Sequence, residues 1–365
     1  MRKMPAARAG AGVTVACGVL ALITSCSSSP RPAHGPSAAP NSHATASGTT
    51  AASPAPAAPA AQLTPAQARQ AFAAFFPRYD AMVSTHDVTQ VPQLTTGAEA
   101  QVRAFGVGKQ TGLPAPAQMT ERFYVPRLAA YPRWFVEQGT TRSHGAPGGD
   151  LFVMVQSRPG GPWQEAHTLM WTGPAPAPLP GISTDPDGYA TAVVPGETSL
   201  VTGPGQLPVQ YALLISGRAG AASSRYAPGD ATTGWIASQQ TAVQGAPAAG
   251  WQVSFGYTAP AVPAYALRTT AGGALVFFAF DQASTWTARS SAPKFSVAAN
   301  SFDGRMPVNV AFDAGLNGPQ VRPGTRFAST YRFESLALDP ARRHGKISLL
   351  PSALNGGGIT SAAKG

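Results

Sequence analysis

Large apolar side chains are missing from one long stretch of this chain and become periodic directly after it. From Ser27 to Gln62 the sequence has no Leu, Ile, Val, Met or aromatic residue, so this stretch cannot build a core. From Leu63 onward, apolar residues recur at intervals of three and four, the pattern of one helical face. They are Ala68, Phe72, Phe75, Phe76, Tyr79, Met82 and Val83.

Local signals place the ends of this first helix. Thr64 is a preferred N-cap, Pro65 suits the first helical position and Gln67 completes a capping box. Pro77 removes a backbone donor and clashes with the preceding turn, which predicts a bend or a break. A second, short helix is predicted from Ala98 to Phe105.

Short apolar runs follow these helices and are separated by glycine and proline turns. The predicted strands are Glu121–Val125, Arg133–Glu137, Leu151–Gln156 and Gln164–Trp171. The turns include Gly148-Gly149 and the run from Pro159 to Pro162. Short turns between consecutive strands predict an antiparallel sheet.

The same order returns after the proline-rich run Pro174–Pro180. Helices are predicted at Leu207–Ser216 and at Thr233–Gln244, the second capped by Thr232. The predicted strands are Trp251–Tyr257, Tyr265–Thr270, Ala274–Asp281, Arg326–Leu338 and Lys346–Leu350. The fold class is therefore α+β, with two tandem units of helices packed on antiparallel sheets at residues 63–190 and 191–365.

The N-terminal residues read as an export signal. Three cations, Arg2, Lys3 and Arg8, precede an uncharged stretch that ends at Ser25, which predicts a signal peptide over residues 1–25. The sequence Leu22-Ile-Thr-Ser-Cys26 resembles the bacterial lipoprotein box. That resemblance implies that Cys26 is lipidated and anchors the chain to the outer face of the membrane. Residues 26–62 then form a disordered tether, which as a proline-rich chain reaches at most about 110 Å.

The net charge and the cysteine count limit which partners and chemistries are expected. Loss of the three signal-peptide cations lowers the formal net charge from +10 to +7, an excess that favours anionic surroundings such as phospholipid headgroups or an anionic wall polymer. Another envelope protein is a further candidate partner besides the membrane. The cations are scattered and show no nucleic-acid-binding signature. Cys17 leaves with the signal peptide and Cys26 carries lipid, so no cysteine remains for a disulfide, thiolate catalysis or a metal.

Two segments carry a family resemblance. The stretches Phe123–Val136 and Ala266–Phe278, together with the lipoprotein box and the tether, resemble actinobacterial secreted lipoproteins that contain a domain of unknown function. The resemblance implies no catalytic, cofactor-binding or metal-binding residue. The order of helices before sheets also resembles NTF2-like and cystatin-like α+β rolls. The hairpins around Gly149 and Gly273 are similar enough to suggest a diverged duplication.

Motifs for familiar chemistry are absent or incomplete. There is no Gly-x-Ser-x-Gly, Walker loop, Gly-x-Gly-x-x-Gly or His-Glu-x-x-His sequence. Ser291–Lys294 and Ser361–Lys364 match Ser-x-x-Lys but lack its companion motifs. Asp185-Pro-Asp187-Gly resembles a fragment of a calcium loop and is better explained as a turn.

Two functions remain open. The first is a non-enzymatic envelope protein that binds a ligand through its α+β rolls. The second is an extracytoplasmic enzyme that uses an acid–base pair. Its candidates are Glu165 and His167, which alternate on one predicted strand and should share a face, and Asp281. The basic run Arg342-Arg343-His344 with Lys346 is a candidate contact for an anionic polymer or lipid, but a solvated loop between strands explains it more simply.

Overall fold

The computed structural model describes residues 62–108, 117–143, 146–172, 181–290, 295–296, 306–307, 322–350 and 356–364. The predicted signal peptide, Cys26, the tether before Gln62 and the Ser291–Lys294 motif lie outside these residues. Gln62, predicted as the last residue of the tether, contacts the fold through its Oε1, which accepts a 3.0 Å hydrogen bond from Arg127.

The first helix begins as predicted. Helix α1 spans Pro65–Thr85, and both capping-box hydrogen bonds form between Thr64 and Gln67. Pro77 lies within the helix and does not end it. A four-residue helix, α2, follows at Val91–Leu94, and α3 spans Gly97–Gly108.

Four antiparallel strands form the first sheet in chain order. They are β1 Ala117–Tyr124, β2 Arg133–Ser143, β3 Ala146–Gln156 and β4 Gln164–Thr172. The predicted Gly148-Gly149 turn is wrong, because both glycines lie inside β3 and pair with Thr141 and Thr140. The β-branched Thr140 and Thr141 favour strand structure there, so the β2–β3 ladder continues beyond the predicted strand end at Glu137.

The second half again places helices before strands. Helix α4 spans Leu207–Ile215 and α5 spans Trp235–Gly245. The prediction that Thr232 caps α5 is wrong. Thr232 lies in a π-helical turn at Asp230–Gly234, and its hydroxyl donates to the Ala227 carbonyl.

The second sheet is built on a long antiparallel pair, β7 Ala274–Ala288 and β10 Arg326–Asp339. Strands β5 Trp251–Thr258 and β6 Tyr265–Arg268 pair with β7. Strands β11 Ser348–Leu349 and β12 Gly356–Lys364 pair with β10. Two-residue strands β8 Phe295–Ser296 and β9 Met306–Pro307 form a separate parallel pair. Strand β12 was not predicted.

The two sheets pack face to face. On β3, Phe152 faces α1, whereas Leu151 and Val153 face the second sheet. On β7, Phe277 meets the first sheet and Phe278 meets α4. Side chains alternate along a strand, so both strands are covered on both faces, which explains their nearly continuous apolar sequences. The order of layers is α1, first sheet, second sheet, α4.

The α+β class, with helices packed on antiparallel sheets, is confirmed. Each sheet takes its strands from one half of the chain, while one apolar cluster contains residues from both sheets. The segment near residue 190 bridges to both halves, through Ala190 to Pro126 and through Ala192 to Leu267. The position of the domain boundary therefore stays a prediction.

Helix α3 of the first half packs against β12, the last strand. The contact is close at Gly358, where a Cβ atom would lie 2.9 Å from Cγ1 of Val102. A separation under 3.0 Å is shorter than real Cβ contacts. Glycine at this position therefore permits the close approach of the helix and the strand.

Candidate functional site

A cluster of polar side chains is buried where α3, β4 and β10 meet. Its members are Glu99, Arg103, Glu165, His167, Thr168 and Glu334, each at most 7% exposed. Buried charges are rare in proteins unless they are paired. These six residues are called the buried polar cluster below. They include two of the three predicted acid–base candidates, Glu165 and His167.

Arg103 is the central cation of the buried polar cluster. Its Nε lies 2.9 Å from Oε2 of Glu99, one helical turn earlier on α3, and its Nη2 lies 3.6 Å from Oε1 of Glu165. The guanidinium also lies 5.3 Å from the centroid of the Tyr79 ring, which allows a cation–π contact. One cation therefore faces two carboxyl groups and an aromatic ring.

Glu165 and His167 do not act as the neighbouring pair that the sequence predicted. Val153 pairs with His167 and Met154 pairs with Glu165, so β4 carries a bulge at Ala166. A bulge inserts one residue and disrupts the alternation of faces. Glu165 accepts a hydrogen bond from the hydroxyl of Thr168, the strand neighbour of His167. The prediction that the two side chains share a face is therefore wrong.

His167 instead faces the second sheet. Its Nε2 lies 3.3 Å from the Pro263 carbonyl, and its ring is edge-on to Tyr265. Its Nδ1 lies 3.7 Å from Oε2 of Glu334. The Glu334 carboxyl also accepts a 2.6 Å hydrogen bond from the backbone N–H of Thr168. His167 and Glu334 thus join the two sheets.

Burial decides the ionisation of these groups. It raises the pKa of Glu165 to about 8, with Glu99 adding to the effect, and it raises the pKa of Glu99 and of Glu334. Burial lowers the pKa of His167 to about 4. Burial opposes the charge of Arg103, but the facing carboxyl of Glu99 raises the Arg103 pKa above its ordinary value. Near pH 7 the Glu165 carboxyl is therefore mostly protonated, the His167 imidazole is neutral and Arg103 is a cation.

Asp281, the third acid–base candidate, is held elsewhere. Both of its carboxyl oxygens accept hydrogen bonds from Arg332, at 2.8 and 2.9 Å. Asp281 and Arg332 are paired across β7 and β10. This bidentate pair is a common structural contact, and the structure does not place the Asp281 carboxyl with Glu165 or His167.

The Asp185–Gly188 segment is a turn, as predicted. Oδ1 of Asp185 accepts the backbone N–H groups of Asp187 and Tyr189. Arg127 bonds to both carboxylates and stacks on the Tyr189 ring. Arg127 therefore occupies the position of the cation that the motif suggested.

An open cleft lies between α4, α5 and β5. Its volume is about 290 Å³, and none of its described lining residues is charged. The lining comprises Ile215, Ser216, Gln239, Gln240, Val243, Gln244, Phe255 and Tyr257. Ile215, Val243 and Phe255 supply apolar surface, and the other five residues carry polar groups. Ligand sites combine such surfaces, and this volume lies just below their usual range.

Hydrogen bonds fix the polar wall of this cleft. The Tyr257 hydroxyl accepts from the indole N–H of Trp235 at 3.1 Å and from Nε2 of Gln282 at 3.2 Å. Gln282 also donates to Oε1 of Gln239 at 3.2 Å. Burial raises the pKa of Tyr257 to about 12, so this hydroxyl stays protonated at neutral pH.

The cleft and four of the six residues of the buried polar cluster, Glu99, Arg103, Thr168 and Glu334, were not predicted from the sequence. Glu99 and Arg103 are four residues apart on a predicted helix, a spacing that normally indicates an exposed ion pair. Among the described residues, no group of three or more His, Cys, Asp or Glu side chains is arranged to hold a metal. No described helix has the length and apolar character needed to span a membrane.

The fold and its buried polar cluster define an α+β protein of two face-packed antiparallel sheets with a helix layer outside each sheet. Residues 58–350 match a family described as a domain of unknown function, DUF8094. Since the match covers most of the chain, the chain belongs to this family.

Two relatives are named as uncharacterized lipoproteins. The protein of Streptomyces coelicolor is 28% identical over 223 residues, which cover 59% of this chain and 65% of the relative. The protein of Streptomyces avermitilis is 28% identical over 221 residues, 58% of this chain and 64% of the relative. The match thus spans less than two thirds of either relative's length. The predicted resemblance to actinobacterial lipoproteins with a domain of unknown function is confirmed.

Proposed function

We propose that this chain is a lipid-anchored protein of the extracytoplasmic face of the cell membrane that binds a ligand in its open cleft and catalyses no reaction. The similarity to proteins named lipoproteins supports the anchor. The lipoprotein box that ends at Cys26 supports the position of the lipid. The proposal includes removal of the signal peptide, lipidation of Cys26 and a tether between the lipid and the folded chain.

The buried polar cluster is an unfavourable place for catalysis. A general acid or base must come within hydrogen-bond reach of its substrate. Glu165 and His167 are 0% and 1% exposed, and their described neighbours are protein groups from α3, β6 and β10. Their raised and lowered pKa values follow from this burial. The cluster therefore serves the packing of α3 and the two sheets.

The rolls predicted from the sequence would bind through their open sheet faces, but those faces are covered. Each sheet packs against the other on one side and beneath a helix on the other. The cleft beside α5 is the alternative, and its fixed wall is the observation that carries the proposal. Trp235 and Gln282 hold Tyr257 and Gln239 in place before any ligand arrives, which lowers the entropic cost of binding.

A single label can report on occupancy of the cleft. The chain from Ser27 onward has no cysteine, so Val243→Cys introduces one attachment point for an environment-sensitive dye. Val243 lines the cleft and is 45% exposed. Val194→Cys is the matched control, since Val194 is 62% exposed and is not a lining residue of the cleft. The probes are enzymatically released wall fragments and a detergent-solubilised envelope-protein fraction from an actinobacterium.

A saturable dye response to one probe at position 243, but not at position 194, is the expected result. Gln239→Ala should weaken that response, and wall fragments should be recovered with unchanged mass. Glu165→Gln and His167→Gln should leave it intact. Absence of a saturable response to both probes would overturn binding in the cleft, and a mass change that depends on Glu165 or His167 would favour the enzyme.

A further inference from the structure

Four exposed cations meet on the surface of the second half. Arg225 ends a 3₁₀ turn at Gly220–Arg225, and Arg342, Arg343 and Lys346 lie between β10 and β11. Although Arg225 is more than 100 residues away in sequence, the fold brings it to the same place. These four residues are called the basic cluster below.

Backbone contacts hold the basic cluster together. Tyr226 and Ile347 form a parallel bridge, and the Ile347 N–H donates to the Arg225 carbonyl at 2.8 Å. On the other side, the Arg342 N–H donates to the Ser199 carbonyl at 2.8 Å. The cations therefore sit on an ordered surface and not on an isolated loop.

The basic cluster has little compensating charge. In the part of the chain that the structure describes, Arg225, Arg343 and Lys346 form no side-chain ion pair, and Nε of Arg342 donates only to the Leu200 carbonyl.

Two carboxylates on the supporting segments are engaged elsewhere. Glu197 bonds to Arg268 and to the Ser199 N–H, and Asp339 is buried and accepts backbone N–H groups of Thr202 and Gly203. The positive charge of the basic cluster is thus left for an external anion.

We propose that the basic cluster docks on the anionic phospholipid headgroups of the membrane that carries the anchored chain. Near such a surface each Lys or Arg contributes about 1 kcal/mol, and an ordered group of four engages several headgroups at once. As a flexible chain, the proposed tether would average roughly 35 Å, which keeps the headgroups within reach and raises their effective concentration. The choice of the membrane over a wall polymer rests on the lipid anchor of the proposed function. The attraction between the cations and an anionic surface does not depend on that anchor.

Vesicle co-sedimentation tests the surface without the anchor. The described residues lie in a compact unit that begins at Ala58, so a chain from Ser27 to Gly365 retains all of them. The vesicles contain equal parts of phosphatidylglycerol and phosphatidylcholine, or phosphatidylcholine alone, at low ionic strength. The test variant combines Arg225→Gln, Arg343→Gln and Lys346→Gln. The control combines Arg78→Gln, Arg158→Gln and Arg322→Gln, three exposed cations from other parts of the chain.

Salt-sensitive binding to the anionic vesicles alone is expected. The test variant should lose roughly 100-fold in partitioning, because each cation contributes about fivefold, while the control keeps most of its binding. A charge-preserving variant with Arg225→Lys, Arg343→Lys and Lys346→Arg should bind like the parent chain, which separates charge from folding. Equal losses in test and control variants would overturn the proposal. Binding to poly(glycerol phosphate) without binding to vesicles would also overturn it, in favour of a wall polymer.

Discussion

Glu334 and His167 join the two sheets through a contact in which the imidazole carries no charge. The 3.7 Å separation of Oε2 and Nδ1 is within ion-pair distance, yet burial lowers the pKa of His167 to about 4 and raises the pKa of Glu334. Near pH 7 the imidazole is therefore uncharged, and burial shifts the carboxyl toward its protonated form. The interface should therefore lose stability both when the pH falls, as the imidazole becomes charged, and when the pH rises, as the carboxyl becomes charged.

Glu165 should weaken the fold as the pH rises. Its folded-state pKa of about 8 exceeds the ordinary value of 4.5, so the folded chain binds more protons between these values. Its contribution to stability is complete below about pH 4.5 and is lost as the pH rises through about 8. Urea unfolding should show a loss on the order of 1–3 kcal/mol between about pH 6 and about pH 9. Glu165→Gln should reduce that loss, whereas Glu197→Gln on the surface should not. Equal slopes for all three chains would contradict the prediction.

His167 should weaken the fold as the pH falls. Its folded-state pKa of about 4 is below the ordinary value of 6.5, so the unfolded chain binds more protons between these values. Stability should therefore fall from about pH 6.5 to about pH 4. His167→Gln should flatten this acid limb in thermal unfolding scans, while His344→Gln, at an exposed position, should retain it. An unchanged acid limb in His167→Gln would show that this imidazole is protonated without cost.

Removal of the Arg103 charge should be severe. Arg103→Met leaves Glu99, its partner at 2.9 Å, buried without a cation, and breaking a buried pair from one side costs about 3–5 kcal/mol. Arg78→Met on the exposed side of α1 should cost about 0.5 kcal/mol or less. Denaturant unfolding near neutral pH measures both. Adding Glu99→Gln to Arg103→Met should recover part of the loss, and independent, additive effects would argue against their coupling.

Gly139 should not tolerate a side chain. A Cβ atom at this buried position on β2 would lie 2.3 Å from Oδ1 of Asp150 and 3.1 Å from Oε1 of Glu137. Gly139→Ala should therefore destabilise the fold by about 1–3 kcal/mol. Gly256→Ala on β5 is the matched control, because no atom lies within 4 Å of its added Cβ. A cost for Gly139→Ala no greater than the control's would mean that the two carboxyl groups move aside freely.

Cys26 should carry the lipid. Mass spectrometry of the membrane-bound chain should find a modified Cys26 as its first residue, because the residues before it match the lipoprotein box. Cys26→Ala should release the chain from the membrane fraction or leave it uncleaved. An unmodified mature N-terminus would sink this prediction.

Local signals predicted most elements because they were strong and agreed with packing. The capping box at Thr64 and the helical repeat of α1 are examples, as are the apolar runs of β3 and β7. Strand β12 escaped prediction because its sequence, Gly-Gly-Gly-Ile-Thr-Ser-Ala-Ala-Lys, has no alternating apolar pattern. Its strand structure depends on pairing with β10 and contact with α3.

The site was harder to predict than the fold. The bulge at Ala166 has no signature in the sequence, so the alternation rule misplaced Glu165 relative to His167. In the sequence, Glu99 and Arg103 look like an exposed ion pair on a helix, because nothing there shows that other elements cover α3. Glu334 reaches the cluster from β10, which is far away in the sequence. The cleft depends on hydrogen bonds among Trp235, Gln239, Tyr257 and Gln282, which are likewise set by tertiary contacts.

The contact of Val102 with Gly358 also bears on the order in which parts of the fold form. Val102 and Gly358 are about 250 residues apart in the sequence, and contacts so distant form slowly. Until β12 arrives, the face of α3 that it covers stays exposed to solvent, together with the edge of β10. The pairing of β12 therefore acts as a late step of folding, and until it is complete the uncovered helix face and strand edge are open to aggregation.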